Sequence, residues 1–238
     1  MYRYALPFPV LPGKSDVDAK AISEYFQAHP DEYRESRGAA GVTLERAYLQ
    51  KTPMGSFVVA YLESKGDPES TFAAAADTSK PLNSKFAEFV KEFHGVDITQ
   101  TAPSVEVLGS WRDDQVSGVR KGLAFSAPLL PGTTEAGKAF MDEAFGARLA
   151  ELEASRRGWG QNAEVVTLVH TPMGDVIAVY VEGEDPVEGN RKFVASDAPY
   201  DRWFKDQLKG LFPPEIDFDQ PVPGIEEIFD SRELLVRS

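Results

Sequence analysis

The chain contains the tetrapeptide Thr-Pro-Met-Gly twice, and a strand-like apolar run follows each copy. The copies begin at Thr52 and Thr171, 119 positions apart, and other matches keep the same spacing. The segment "PVLPG" at 9–13 corresponds to "PLLPG" at 128–132. Chance does not place several such matches in one register, so the sequence indicates a tandem duplication. This duplication constrains the fold strongly, because both halves must then build the same structure.

Each repeat shows the same order of predicted elements: a strand, a helix, two strands joined by Thr-Pro-Met-Gly, a second helical region and a final strand. This is the β-α-β-β-α-β order of a ferredoxin-like unit, so the predicted class is α+β. The repeats are predicted to occupy residues 1–112 and 121–238, with a polar joint at 113–120. Two fused units of this kind predict two antiparallel sheets that pack face to face.

Composition excludes several classes of protein. The formal net charge is −13 and no Lys/Arg-rich run exists, so nucleic acid and anionic membranes are not expected as partners. There is no cysteine, which excludes disulfides, thiol catalysis and cysteine-bound metals. The apolar runs are too short to span a membrane, and the N-terminus lacks the features of a secretory signal. We therefore expect a cytoplasmic location.

The Thr-Pro-Met-Gly turn has a structural interpretation rather than a catalytic one. Proline presets the backbone of a type I turn, and glycine accepts the left-handed conformation of a three-residue hairpin loop with a G1 bulge. In the resulting register Glu45 faces Glu63 across the first hairpin. In the second hairpin Glu164 faces Glu182.

Side chains alternate across a sheet, so this register assigns two faces to each hairpin. One face of the second hairpin is a plain apolar core that should meet the helices: Val165, Thr167, Val169, Ile177, Val179 and Val181. The opposite face of each hairpin mixes acids, a tyrosine and a basic or histidine side chain. Its members are Glu45, Ala47, Leu49, Lys51, Val59, Tyr61 and Glu63 in the first repeat, and Glu164, Val166, Leu168, His170, Ala178, Tyr180 and Glu182 in the second.

The facing glutamates are candidate ligand-binding residues, together with Lys51. Like charges on neighbouring strands are destabilising unless the acids are solvated, pair with arginine, bind a cation or share a proton. One hypothesis is a proton-handling or cation-binding site beside the tyrosines. The alternative is that the acids are solvated or pair with an arginine: Arg37, Arg112, Arg156 or Arg232.

His170, Tyr180 and Tyr61 are the candidate catalytic residues. His170 takes the place that Lys51 has in the first repeat, so the fold does not require it, and histidine titrates near neutral pH. An exposed histidine at a strand end is the alternative interpretation. The three histidines of the chain are scattered without metal-ligand spacing, so neither a metal nor a cofactor is predicted.

Several segments resemble a known superfamily. The opening "VLPGK" with its acidic helix start resembles the dimeric α/β-barrel proteins, which include antibiotic-biosynthesis monooxygenases. The segments "ESRGAAGVTLERAYLQKTPMGSFVVAYLE" and "ASDAPYDRWF" more closely resemble an uncharacterised actinobacterial-type domain family of that superfamily. The resemblance implies a pseudo-dimeric α/β barrel made of two fused ferredoxin-like units in one chain. It therefore implies a monomer or a weak homodimer.

The resemblance leaves the function open, because the superfamily includes monooxygenases, haem-degrading enzymes, isomerases, decarboxylases and proteins without a known reaction. We expect a protein that binds a small molecule between or beside its two sheets. A second hypothesis is a cofactor-independent enzyme of the monooxygenase or isomerase kind. A third is a structural or interaction protein whose barrel is filled by side chains.

Overall fold

A computed structural model describes residues 1–53, 55–100, 102–118, 120–222 and 224–236 of the chain. The fold is α+β and divides into two compact units. Unit 1 comprises residues 1–105 and 224–238, and unit 2 comprises residues 106–223. Among the described residues, no helix is both long and apolar enough to cross a membrane.

The two halves of the chain have the same order of strands and main helices, and the second half adds a π-helix and a short last helix. The first half forms β1 (Tyr2–Pro9), α1 (Asp16–Ala28), α2 (Pro30–Ala39), β2 (Val42–Thr52), β3 (Gly55–Ser64), α3 (Pro68–Ala75), α4 (Pro81–His94) and β4 (Ser104–Arg112). The second half forms β5 (Lys121–Pro128), α5 (Thr134–Asp142), a π-helix (Glu143–Ala147), α6 (Leu149–Gly158), β6 (Gln161–Thr171), β7 (Gly174–Gly183), α7 (Pro186–Ala195), α8 (Pro199–Lys209), β8 (Ile225–Asp230) and α9 (Glu233–Val236).

The last strand of each repeat joins the sheet of the other repeat. The four-stranded sheets have the orders β1-β3-β2-β8 and β4-β6-β7-β5. The boundaries of the compact units therefore differ from those of the repeats predicted at 1–112 and 121–238, because the last strand of each predicted repeat lies in the sheet of the other. The exchange covers β2 and β6, which would otherwise present unpaired backbone N–H and C=O groups at a sheet edge.

The hairpin register differs by one residue from the predicted one. Thr52 pairs with Gly55 and Thr171 pairs with Gly174, so two residues lie between the paired positions instead of three. Both glycines have the predicted positive φ, at 132° and 124°. In each turn the threonine hydroxyl donates to the glycine carbonyl, over 2.8 Å in the first and 2.6 Å in the second. Position 54 of the first turn lies outside the described residues.

This one-residue difference overturns the predicted faces, because a register slip moves every side chain of a strand to the other side. Glu45 pairs with Leu62 rather than Glu63, and Glu164 pairs with Val181 rather than Glu182. The prediction that these acids face each other was wrong. The helix face of each sheet carries Glu45 or Glu164. The opposite face, called the tyrosine face here, carries Arg46, Tyr48, Gln50, Val59, Tyr61 and Glu63 in unit 1, and Val165, Thr167, Val169, Ala178, Tyr180 and Glu182 in unit 2.

The helix faces carry the apolar cores. In unit 2, Val166 and Leu168 pack in one cluster with Ile177, although they had been predicted on the other face. Helix residues complete this cluster, among them Phe140, Leu152, Tyr200, Phe204 and Leu208. In unit 1, Leu49 and Val58 pack against Ala19 of α1.

The two units fill one position of their cores in opposite ways. The last strands align "PSVEVLGSWR" with "PGIEEIFDSR", so Gly109 of β4 corresponds to Phe229 of β8. Phe229 makes an edge contact with Phe26 in unit 1, at 5.6 Å between ring centroids. In unit 2, Phe145 of the π-helix lies directly against Gly109. The large side chain therefore comes from the strand in unit 1, whereas in unit 2 a helix ring occupies the space over a glycine.

Gly109→Ala is expected to lower the free energy of unfolding by about 1–3 kcal/mol, because overpacking forces side chains or backbone to shift. An added Cβ would lie 2.3 Å from Cδ2 of Phe145. Urea denaturation followed by circular dichroism measures the effect. Gly146→Ala is the matched control, since its Cβ would meet nothing within 4 Å. Equal stabilities of the two variants would contradict the contact.

Candidate functional site

Two of the four candidate glutamates form buried ion pairs on the helix faces. Arg37 of α2 donates from Nε to Glu45 Oε2 over 2.8 Å. In unit 2, Arg156 of α6 donates from Nε and from Nη2 to the two oxygens of Glu164, the second bond being 3.2 Å long. The alternative interpretation, pairing with arginine, is confirmed for these two acids. Each pair links a helix to its sheet.

Aromatic rings surround both guanidinium groups. The Arg37 guanidinium carbon lies 4.9 Å from the ring centroid of Phe26 and 4.7 Å from that of Phe86. The Arg156 carbon lies 4.6 Å from Trp159 and 4.7 Å from Phe204. Such contacts stabilise a buried cation. Burial alone would lower the pKa of Arg37, but the adjacent Glu45 carboxylate raises it above its ordinary value.

The tyrosine faces carry a repeated tyrosine–glutamate pair. Tyr61 donates its hydroxyl to Glu63 Oε1 over 2.8 Å, and Tyr180 donates to Glu182 Oε2 over 2.9 Å. Each pair is two positions apart on one strand, which places both side chains on the same face. Both tyrosines are fully buried. The structure thus brings together candidate residues that the sequence placed in separate roles.

Glu182 differs from the other three acids in its partners. It is buried, and its oxygens accept from the Tyr180 hydroxyl and, over 3.3 Å, from the Asn162 amide. Within the described part of the chain it forms no ion pair, whereas the Glu63 carboxylate has Arg3 Nε at 3.9 Å. A buried carboxylate without a cation is costly, because burial removes its hydration and neutral donors compensate only in part.

Lys51 and His170 lie at the hairpin ends, away from the tyrosines. Lys51 Nζ is 2.5 Å from Asp16 Oδ2, and hydrogen bonding to that carboxylate raises the pKa of Lys51. His170 Nδ1 is 2.7 Å from Asp175 Oδ1, and the His170 side chain is 41% exposed. By strand alternation His170 lies on the helix face, opposite the Tyr180 face. The structure therefore does not bring His170 and Tyr180 into one site.

The tyrosine face of unit 1 also carries a charged cluster that the sequence did not predict. Arg46 of β2 forms ion pairs with Glu227 and, over 3.2 Å, with Asp230 of β8. Tyr48 donates to the same Glu227 carboxylate over 2.9 Å. Burial would raise the pKa of Asp230, but hydrogen bonds from Arg232 lower it below its ordinary value. Because β8 was assigned to the other sheet, its acids could not be matched with Arg46 from the sequence.

Unit 1 also contains a cavity of about 30 Å³ on its helix face. Apolar side chains from β1, β3, α3 and α4 line it, together with Arg37, Glu45 and Thr71. Among the described residues, no group of three or more histidines and acids is arranged to hold a metal ion.

Comparisons with known proteins bear on the fold. No protein-family model and no curated protein matches the sequence. An anthrone oxidase-like protein of known structure is 11% identical, with a TM-score of 0.50 over 95% of this chain and 92% of its own. A proposed monooxygenase from Fusobacterium nucleatum subsp. nucleatum ATCC 25586 is 10% identical, with a TM-score of 0.49 over 94% and 88%. At such identity the likeness to the anthrone oxidase-like protein concerns the fold alone.

Proposed function

We propose that the protein binds a small organic molecule at the tyrosine face of unit 2, with Glu182 as the polar anchor. The observation that carries the proposal is the burial of Glu182 with only neutral hydrogen-bond donors among the described residues. A ligand that brings a hydroxyl, an amine or an acidic C–H group would complete the partners of this carboxylate. The Glu164 carboxylate, both of whose oxygens accept from Arg156, does not offer this opportunity.

A second candidate function is a cofactor-independent enzyme of the monooxygenase or isomerase kind. Tyr180 fixes one oxygen of Glu182, so the carboxylate is oriented to accept a proton from a bound substrate. In this proposal Glu182 is the general base and Tyr180 is a positioning residue. Anthrone is a suitable first substrate to test, because one similar fold belongs to an anthrone oxidase-like protein and anthrone loses a proton from the ring CH2 group opposite its carbonyl.

The test combines binding and turnover measurements on the full chain. Anthrone and a panel of small phenols, ketones and amines are screened by thermal shift, and anthrone consumption is followed by absorbance. Glu182→Gln keeps an acceptor for Tyr180 but cannot take a proton. If the residue is a base, we expect anthrone binding to persist while turnover falls by about 10²–10⁴-fold.

Glu63→Gln, at the equivalent position of unit 1, is the matched control for the unit 2 site. Loss of anthrone binding in Glu182→Gln would identify Glu182 as the anchor, because turnover would then fall through lost binding. If no compound in the panel shifts the melting temperature of the wild type, the ligand-binding proposal fails. The tyrosine faces would then have a structural role.

A further inference from the structure

The two buried arginine–glutamate pairs differ in their hydrogen bonding. In unit 2 the Arg156 guanidinium engages both oxygens of Glu164. In unit 1 the Arg37 guanidinium engages Oε2 of Glu45 through Nε, and its Nη1 donates to Ser36 over 3.3 Å. Bidentate pairing is the stronger arrangement, so its absence in unit 1 needs a cause.

Tyr33 of α2 supplies that cause. Its hydroxyl donates to Glu45 Oε2 over 2.9 Å, the same oxygen that Arg37 Nε contacts. With the repeat spacing of 119, the equivalent residue in unit 2 is Leu152, which has no hydroxyl. In unit 1 the carboxylate is therefore held by two donors at one oxygen. Within the residues that the structure describes, Glu45 Oε1 and Arg37 Nη2 have no hydrogen-bond partner.

The cavity of unit 1 lies at the Arg37–Glu45 pair, in which one carboxylate oxygen and one guanidinium nitrogen have no partner among the described residues. Arg37 and Glu45 both line it, and its volume of about 30 Å³ leaves room for about two water-sized molecules. Ala75 of α3 also lines the cavity. The aligned position in unit 2 is Phe193, whose ring packs 4.8 Å from that of Trp159. Unit 1 thus combines space with a donor and an acceptor that have no hydrogen-bond partner among the described residues.

We propose that this cavity is a binding site for a small molecule that carries a hydrogen-bond acceptor and a donor on adjacent groups. A primary amide of the size of formamide fits this description. Its carbonyl oxygen accepts from Arg37 Nη2, and its N–H donates to Glu45 Oε1. The site lies on the helix face of unit 1, so it is independent of the Glu182 site proposed above.

The experiment titrates the full-length ¹⁵N-labelled protein with formamide and follows the Nε–Hε signals of the arginines by NMR. A saturable shift of the Arg37 signal is expected. The Arg156 signal serves as an internal control, because Arg156 already donates to both oxygens of Glu164. N,N-Dimethylformamide, which accepts but cannot donate, should bind Arg37 at least several-fold more weakly.

Two variants decide the assignment. Tyr33→Leu introduces the residue of unit 2, so Arg37 should close onto both oxygens of Glu45 and the saturable shift should vanish. Ala75→Leu fills the cavity from the other side and should abolish the shift without touching the ion pair. Parallel, unsaturable shifts of Arg37 and Arg156 would overturn the proposal, as would unchanged formamide binding in Ala75→Leu.

Discussion

Arg156→Ala is expected to lower the free energy of unfolding by about 3–5 kcal/mol, because it leaves the buried Glu164 carboxylate without its cation. Both side chains of this pair are nearly inaccessible to solvent, at 3% and 6% exposure. Equilibrium unfolding in urea at neutral pH measures the loss. Much of this cost is the desolvation of the remaining Glu164 charge, rather than the lost attraction between the two groups.

A surface pair and a double substitution distinguish this explanation from a general effect of removing arginine. Arg191 and Glu188 form a solvent-exposed ion pair, so Arg191→Ala should lower the free energy of unfolding by no more than about 1 kcal/mol. The combined variant Arg156→Met with Glu164→Leu should recover most of the stability, because it removes both charges and keeps apolar volume. If Arg156→Ala and Arg191→Ala lose equal stability, Glu164 is not buried as the structure places it.

Phe204→Ala is expected to cost about 3–5 kcal/mol, because it removes a large ring from the core of unit 2. The ring plane is inclined at 64° to that of Phe140, with the centroids 4.8 Å apart, and the ring covers the Arg156 guanidinium. The loss should therefore exceed that of an isolated aromatic of the same burial. The loss of stability is measured by urea denaturation monitored by tryptophan fluorescence, since Trp203 is adjacent to Phe204 in the sequence.

Phe204→Leu is the control, because it keeps most of the volume and removes the aromatic face. It should cost less than about 2 kcal/mol, the sum of a conservative core exchange and part of a cation–π contact. A double-mutant cycle with Arg156→Met then isolates the coupling between ring and cation. A coupling of zero would mean that the ring contributes packing but no electrostatic stabilisation.

The sequence predicts the element order and the α+β class, because these depend on periodicity and on the matches between the two halves of the chain. The sequence did not determine the register of the hairpins. Thr-Pro-Met-Gly suits a loop of two residues as well as one of three, since proline and glycine take their preferred backbone conformations in both. A difference of one residue then separated Glu45 from Glu63 and paired Glu45 with Leu62.

The partners of the candidate site were also only partly predictable. Arginine partners for Glu45 and Glu164 follow from the need to compensate buried acids, and Arg37 and Arg156 fulfil it. The cluster of Arg46 with Asp230 depends instead on which sheet the last strand joins. Local pattern carries no information about that choice, because an edge strand offers the same hydrogen-bonding groups to either sheet.

Each half of the chain completes its four-stranded sheet with a strand from the other half. A deletion of residues 225–230 removes β8 from the edge of β2, so it alters a sheet whose other strands come from the first half of the chain. Loss of the segment at 104–112 likewise uncovers β6. We therefore expect neither half of the chain to form its complete four-stranded sheet without the other.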